Sequence, residues 1–158
     1  MAKATLPALG LGTFRLKGEP LMGSIHKALD LGYRHIDTAQ MYENEETVGA
    51  ALDAHDVPRD EVFLTTKIWH DRLQHDDLLQ SLQESVNRLR VDAVDLALIH
   101  WPSPNDDVPM DEYIGALAEA KKQGLAKNVG VSNFTVAQLE RALSVPGGEE
   151  LVTNQVEV

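Results

Sequence analysis

Three short apolar runs in this chain each stop on a side chain with chemistry to offer. Val94-Asp95-Leu96-Ala97-Leu98-Ile99 ends on His100, Trp101 and Pro102; Val62-Phe63-Leu64-Thr65-Thr66 ends on Lys67; His35-Ile36 ends on Asp37. Runs this short and this rich in branched residues suit strands covered on both faces, as in a parallel sheet. Pro102 has no amide proton to give a ladder, so pairing should stop there. Parallel strands are joined by right-handed crossovers, which bring every strand C-terminus to one rim. Asp37, Lys67 and His100 are therefore expected along one edge.

The segments between the runs have helical spacing. Leu21, Met22, Ile25, Ala28 and Leu29 form an apolar stripe closed by Gly32, a helix stop. Asn44 starts a short helix over 44–52 with Val48, Ala51 and Leu52 inward, and Pro58 and Asp60 mark the turn into the third strand. Leu78, Leu79, Leu82, Val86 and Leu89 make the clearest helix. After a polar loop over 102–108, Tyr113, Ile114 and Leu117 give another, ending at Gly124. Thr135 with Gln138 spells a capping box for a fifth. Further strands are expected over 6–14, 34–39 and 126–131, the last leading into Ser132-Asn133, with a sixth over 151–158.

Strand and helix alternate without a linker, so residues 1–158 read as a single α/β domain with parallel pairing. An open doubly wound sheet and a (β/α) barrel share these unit lengths, and both place ligands at the strand C-termini. The balance of 14 basic against 25 acidic side chains, formally -11, argues against nucleic acid as a partner, because a phosphate backbone needs a basic footprint. Cysteine is absent, which excludes disulfides, thiolate metal sites and thiol catalysis. No apolar run approaches the ~18 residues of a membrane span. The first residues lead straight into strand-like sequence, without a signal-peptide core, so the expected location is the cytoplasm.

Neighbouring strands lie ~4.8 Å apart, which puts Asp37, Lys67 and His100 within about 10 Å of one another. Tyr42 follows Asp37 by one short loop and can swing over the same spot. A phenol is a poor proton donor at neutral pH, but an adjacent ammonium stabilises the phenolate it leaves behind. A carboxylate offsets the burial of that ammonium, and an imidazole can hydrogen-bond a substrate oxygen. The set suits protonation of an oxygen that gains negative charge, as when a carbonyl is reduced. Taken singly, each residue has a plainer use: Asp37 as a strand-end cap, Lys67 as a snorkelling cation, Tyr42 as a half-buried aromatic and His100 as a core histidine. Their shared placement on successive strand ends is what favours chemistry. Gly12 does not open a dinucleotide fingerprint, since Arg15 stands three residues on. Close approach of a ligand and tight packing both remain open for Gly12-Thr13. His70, His75, Asp76 and Asp77 resemble metal ligands, but Asp76 and Asp77 read as first-turn acids complementing a helix dipole, and no metal is expected.

Gly12-Thr13-Phe14, the stretch from Gly32 through His35-Ile36-Asp37-Thr38-Ala39 to Tyr42, Leu64-Thr65-Thr66-Lys67-Ile68-Trp69, Asp95 through His100-Trp101-Pro102, Gly130-Val131-Ser132-Asn133-Phe134 and Thr153-Asn154-Gln155 together resemble the successive motifs of the aldo-keto reductases. The likeness is nearest to the bacterial 2,5-diketo-D-gluconate and methylglyoxal reductase branch. The resemblance implies a (β/α)8 TIM-barrel type of fold, of which about six parallel strands and five helices are present. It implies NADPH-dependent reduction of small aldehydes and ketones, with Tyr42 as general acid, Lys67 and Asp37 as its tuning partners, and His100 orienting the carbonyl. Thr13, Asp37, Ser132, Asn133 and Gln155 would meet the nicotinamide end of NADPH, while Phe14, Trp69 and Trp101 would wall the substrate pocket.

Such barrels have eight strands and ~250 residues, whereas this sequence ends on its sixth strand. The first and sixth strands are then expected as bare edges open to self-association, with interior apolar side chains facing solvent. Three accounts compete: the N-terminal portion of a longer enzyme, a short protein that pairs with another half, or a catalytically inactive half-barrel acting as a binding or assembly module. The first is favoured, because the catalytic set is present and the sequence stops inside a strand.

Overall fold

The computed structural model describes residues 3–157. Six strands form one sheet in sequence order, every neighbouring pair parallel. They are β1 (Leu11–Gly12), β2 (His35–Asp37), β3 (Phe63–Ile68), β4 (Val94–Ile99), β5 (Ala126–Ser132) and β6 (Leu151–Gln155). Five helices alternate with them: α1 (Gly18–Asp30), α2 (Glu45–Asp53), α3 (His75–Leu89), α4 (Met110–Lys122) and α5 (Val136–Ser144). Short 3-10 turns occupy Gln40–Tyr42, Arg59–Glu61, Pro104–Asp106 and Gly148–Glu150.

The register sorts the side chains. Thr65 pairs with Leu96 and Lys67 with Leu98; Leu96 pairs with Asn128 and Leu98 with Gly130. These residues share one face with His35 and Phe63, whose rings meet edge to face at 5.1 Å. Alternation sends Ile36, Leu64, Ile68, Ala97, Ile99, Val129 and Val131 to the other face. There they join the helix stripes, Leu21, Ile25, Leu78, Leu82, Ile114 and Leu117 among them, in the hydrophobic core. Covering the whole of that face at about 25 cal/mol per Å² of apolar area supplies most of the drive to fold.

The helix ends follow the sequence closely. Gly32 takes φ +92°, while the Tyr33 amide donates to Ala28 O and the Gly32 amide to Leu29 O, a closed Schellman turn. Thr135 and Gln138 form the reciprocal capping box at α5. Three strand expectations shorten. The 6–14 strand is reduced to β1, because only Leu11 and Gly12 find partners on β2. The 34–39 strand keeps only β2, and beyond it Thr38 and Ala39 turn into the loop that carries Tyr42. The last strand stops at Gln155, and Val158 lies outside the described residues.

Among the described residues β1 and β6 each pair on one side only. The expected solvent-facing interior is found only in part: Leu96 and Leu98 are buried on the concave face, while Phe63 on the same face is half-buried. The sheet curls enough for Gln155 Nε2, at the tip of β6, to donate to Asp37 Oδ2, at the tip of β2, over 2.8 Å. The exposed large apolar residues instead include Phe14, Met41, Trp101 and Val156, which gather at the mouth of a cleft.

Candidate active site

The C-terminal ends of β2, β3 and β4 deliver Asp37, Lys67 and His100 to one rim. Lys67 is 1% exposed, a cation stripped of water. Its Nζ donates to Asp37 Oδ1, to Thr38 O at 3.0 Å and to the Tyr42 hydroxyl at 3.4 Å. Asp37 holds two donors, Lys67 Nζ on one oxygen and Gln155 Nε2 on the other. A buried ammonium is tolerated only where a carboxylate and further acceptors replace its water, and these three contacts do so.

Tyr42 closes the 3-10 turn that follows β2, so its ring lies over the rim. It meets Phe14 with ring centroids 5.1 Å apart and His100 edge to face at 5.7 Å. The indole of Trp69 also meets the His100 ring edge to face, at 5.1 Å. Burial, the Lys67 ammonium and His70 hold the His100 imidazole down at a pKa of about 4 against the opposing pull of Asp37. The ring is therefore neutral at pH 7. Its Nδ1 is buried without a partner among the described residues. An orphaned acceptor is tolerated more often than an orphaned N–H, which favours the proton on Nε2.

A cleft of about 410 Å³ opens at this rim, lined in part by Phe14, Tyr42, His100, Trp101, Asn133 and Gln155. Asn133 sits at the end of β5 with φ +60°, a left-handed conformation that asparagine accepts more readily than most residues. Its Nδ2 donates to His100 O at 3.1 Å and to Ser132 Oγ at 3.2 Å, and Ser132 Oγ donates to Gln155 O at 2.9 Å. Those bonds fix the side chain, and its Oδ1 has no protein partner among the described residues and is not sealed from solvent. A primary carboxamide needs just such an acceptor, so this end of the cleft fits the nicotinamide head of a dinucleotide.

Other expected residues stand differently. Thr13 is fully buried, its hydroxyl donating to Asp37 O at 3.0 Å, so it lies behind the cleft wall and props Asp37. Trp69 backs His100 and lines a separate cleft of about 550 Å³ between the Tyr42 turn and α3. His75 Nδ1 contacts Asp76 at 2.8 Å and Asp77 is taken by Arg72 at 2.6 Å. Met41, Val156 and Glu157 line the cleft at the rim without having been singled out in the sequence; only adjacency to Tyr42 and Gln155 could have flagged them. Asn44, read as a helix start, makes no side-chain cap. It instead accepts from the Thr38 hydroxyl at 2.6 Å and donates to Thr13 O and Leu16 O, tying the β1 and β2 loops together.

Comparison with known proteins places this geometry. The model of the aldo/keto reductase family matches residues 8–158. Methylglyoxal reductase DkgB of Escherichia coli O157:H7 is 54% identical over 153 residues, covering 97% of this chain and 57% of that protein. An aldo/keto reductase structure from Brucella melitensis superposes with a TM-score of 0.90 at 40% identity, over 97% of this chain and 59% of that one. A Bombyx mori aldo-keto reductase in complex with NADP gives 0.87 at 37% identity, over 98% and 55%. The chain thus spans a little over half the length of these relatives, and its six strands and five helices are part of their TIM-barrel fold. Matched in sequence and in backbone along nearly all of its own length, it belongs to the aldo/keto reductase family.

Proposed function

We propose that this chain carries the carbonyl-reducing rim of an NADPH-dependent reductase whose substrates are small aldehydes and ketones. Dicarbonyls such as methylglyoxal and keto-sugar acids such as 2,5-diketo-D-gluconate form the substrate class. The observation that carries the reading is the relay Asp37–Lys67–Tyr42 with its phenol beside a neutral His100. Ser132, Asn133 and Gln155, with Asp37 and Thr13 behind them, would hold the nicotinamide end of the cofactor. NADPH, when bound, supplies the hydride that reaches the carbonyl carbon. His100 donates from Nε2 to the carbonyl oxygen and fixes its direction. Tyr42 gives its proton to that oxygen as negative charge builds there, and the Lys67 ammonium stabilises the phenolate that remains. Asp37 holds the Lys67 amine in place. Phe14, Trp101 and Met41 present apolar surface that keeps bulk water from the reacting oxygen.

Fluorescence titration of the chain with NADPH tests the site. Saturable binding that is weakened in Asn133→Ala is expected. Absence of saturation up to millimolar cofactor would favour a half-barrel that serves as a binding or assembly module. In steady-state reduction of methylglyoxal, Tyr42→Phe should cut kcat by at least about a hundredfold and leave NADPH affinity nearly unchanged. A matching loss of NADPH affinity would assign Tyr42 a different job.

A further inference from the structure

The turn that carries Tyr42 has a second set of contacts on the side away from the catalytic cleft. Gln40 opens that turn. Its Nε2 donates to Ser81 Oγ and Ser85 Oγ, both at 3.1 Å, and its Oε1 accepts from the Trp69 amide at 3.0 Å. Both serines are buried on α3. Ser85 donates onward to Glu45 Oε1 at 3.3 Å, and Glu45, itself 2% exposed, accepts from the Thr66 hydroxyl at 2.6 Å and from Arg88 at 2.9 and 3.1 Å. Thr66 and Trp69 flank Lys67 on β3 and its exit. One carboxamide therefore joins the turn of Tyr42, the end of β3 and the inner side of α3.

The chemistry of the position is specific. Ser81 already donates to Leu78 O at 3.0 Å and Ser85 to Glu45, so both hydroxyls have only acceptor capacity to offer. The Trp69 amide needs an acceptor. A side chain that donates twice and accepts once is a carboxamide. The turn is also held by its own backbone bonds, the buried Thr38–Asn44 hydrogen bond that brackets it at 2.6 Å, an exposed Lys17–Glu43 pair at 3.2 Å, the long contact from Lys67 to Tyr42 and the packing of the Tyr42 ring on Phe14 and His100. Gln40 alone ties it by hydrogen bonds to α3 and to the exit of β3 among the described residues.

We propose that Gln40 is a positioning residue: bonded to the Trp69 amide and to the Ser81 and Ser85 hydroxyls, it fixes where Tyr42 and Trp69 stand relative to Lys67 and His100. Tyr42 and Trp69 both pack edge to face against the His100 ring, so a loosened turn opens that ring to water. The titratable groups facing His100 are Lys67, Asp37, His70 and Tyr42, and none of their side chains bonds to Gln40. The effect on turnover rests on the carbonyl-reductase reading; the effect on the His100 ring does not.

The test compares the chain with Gln40→Met, which keeps volume and loses every bond, with the Ser81→Ala/Ser85→Ala pair, and with Val86→Ala as a control that weakens α3 packing without touching Gln40. The His100 imidazole is titrated by NMR. In Gln40→Met its midpoint should rise by about one pH unit, since water relieves the burial that holds it down. The double serine variant should move the same way by less, and it decides the matter if Gln40→Met does not fold. Val86→Ala should lower the melting temperature and leave the midpoint in place. An unmoved midpoint in the Gln40 and serine variants, or an equal shift in Val86→Ala, overturns the proposal. In methylglyoxal reduction, Gln40→Met should lower kcat about tenfold with KM within about twofold. A wild-type chain that shows no saturable NADPH binding, alongside a shifted His100, would remove the reductase reading and keep the positioning role.

Discussion

Lys67 is buried where water does not reach, and its ion pair with Asp37 is what makes this tolerable. Removing one member of such a pair strands the other, whereas removing both does not. Lys67→Met should therefore cost about 3 kcal/mol in urea unfolding, and the Asp37→Asn/Lys67→Met double variant clearly less than the sum of the singles. Additive costs would mean that the two charges are not coupled in solution. At this scale the sequence was informative wherever a polar residue ends an apolar run: Asp37, Lys67 and His100 each have a plainer use alone, and their shared place on successive strand ends is what marked them. It was silent on Gln40 and Glu45. An acid in a first helical turn reads as a dipole complement, and nothing local reveals that Glu45 is buried against Thr66 and Arg88. Thr13 was visible as a special position, but its direction was not: its hydroxyl turns to Asp37 O and leaves the cleft to others.

The elements that carry these residues were legible in proportion to their periodicity. The stripe from Leu78 to Leu89 and the Thr135 capping box both specify helices from local sequence alone. Strand ends were less legible, because a strand extends only as far as its neighbour pairs, which is a tertiary fact. β1 keeps two residues for that reason. Helix contacts across the layer were not legible either. Gly49 on α2 sits where an added Cβ would lie 2.7 Å from Arg88 O and from the Leu89 carbonyl group, the C-terminal end of α3. The close approach of α2 to α3 also sets where Glu45 meets Arg88 and Ser85. Gly49→Ala should destabilise the chain by about 2 kcal/mol, as forced overpacking against backbone does, despite alanine's better helix propensity. Calorimetry that found the variant as stable as the parent, or more so, would show that the two helices can part without cost.

At the scale of the whole molecule, the sheet is cross-linked at both ends by buried charge, and the two ends should fail at different acidities. At the C-terminal rim burial, helped by Lys67 and His70, drops His100 from an ordinary value of 6.5 to about 4, and burial also lowers His35 on the concave face. A base whose folded pKa is depressed binds its proton more readily when unfolded. Stability is then full above about 6.5 and is lost as pH falls toward 4, by up to about 3 kcal/mol for His100. At the N-terminal ends of the strands sits Asp95. Burial pushes its carboxyl up, but the Leu64 amide at 3.0 Å, Lys127 at 2.9 Å and Arg59 at 2.8 Å outweigh it and hold the carboxyl below the usual range. That cross-link joins β3, β4, β5 and the Arg59 turn, and its stabilisation is present at neutral pH and lost only below about pH 4. Wild type, His100→Gln and Asp95→Asn compared by thermal melting across the acid range should separate the two losses. His100→Gln should flatten the decline between about pH 6.5 and 4, and Asp95→Asn should cost about 2 kcal/mol at pH 7 and progressively less below pH 4. An unchanged slope in His100→Gln would mean that the imidazole is wet and titrates as a free one. The neutral imidazole that orients the carbonyl would then be only partly populated at the lower end of the physiological range.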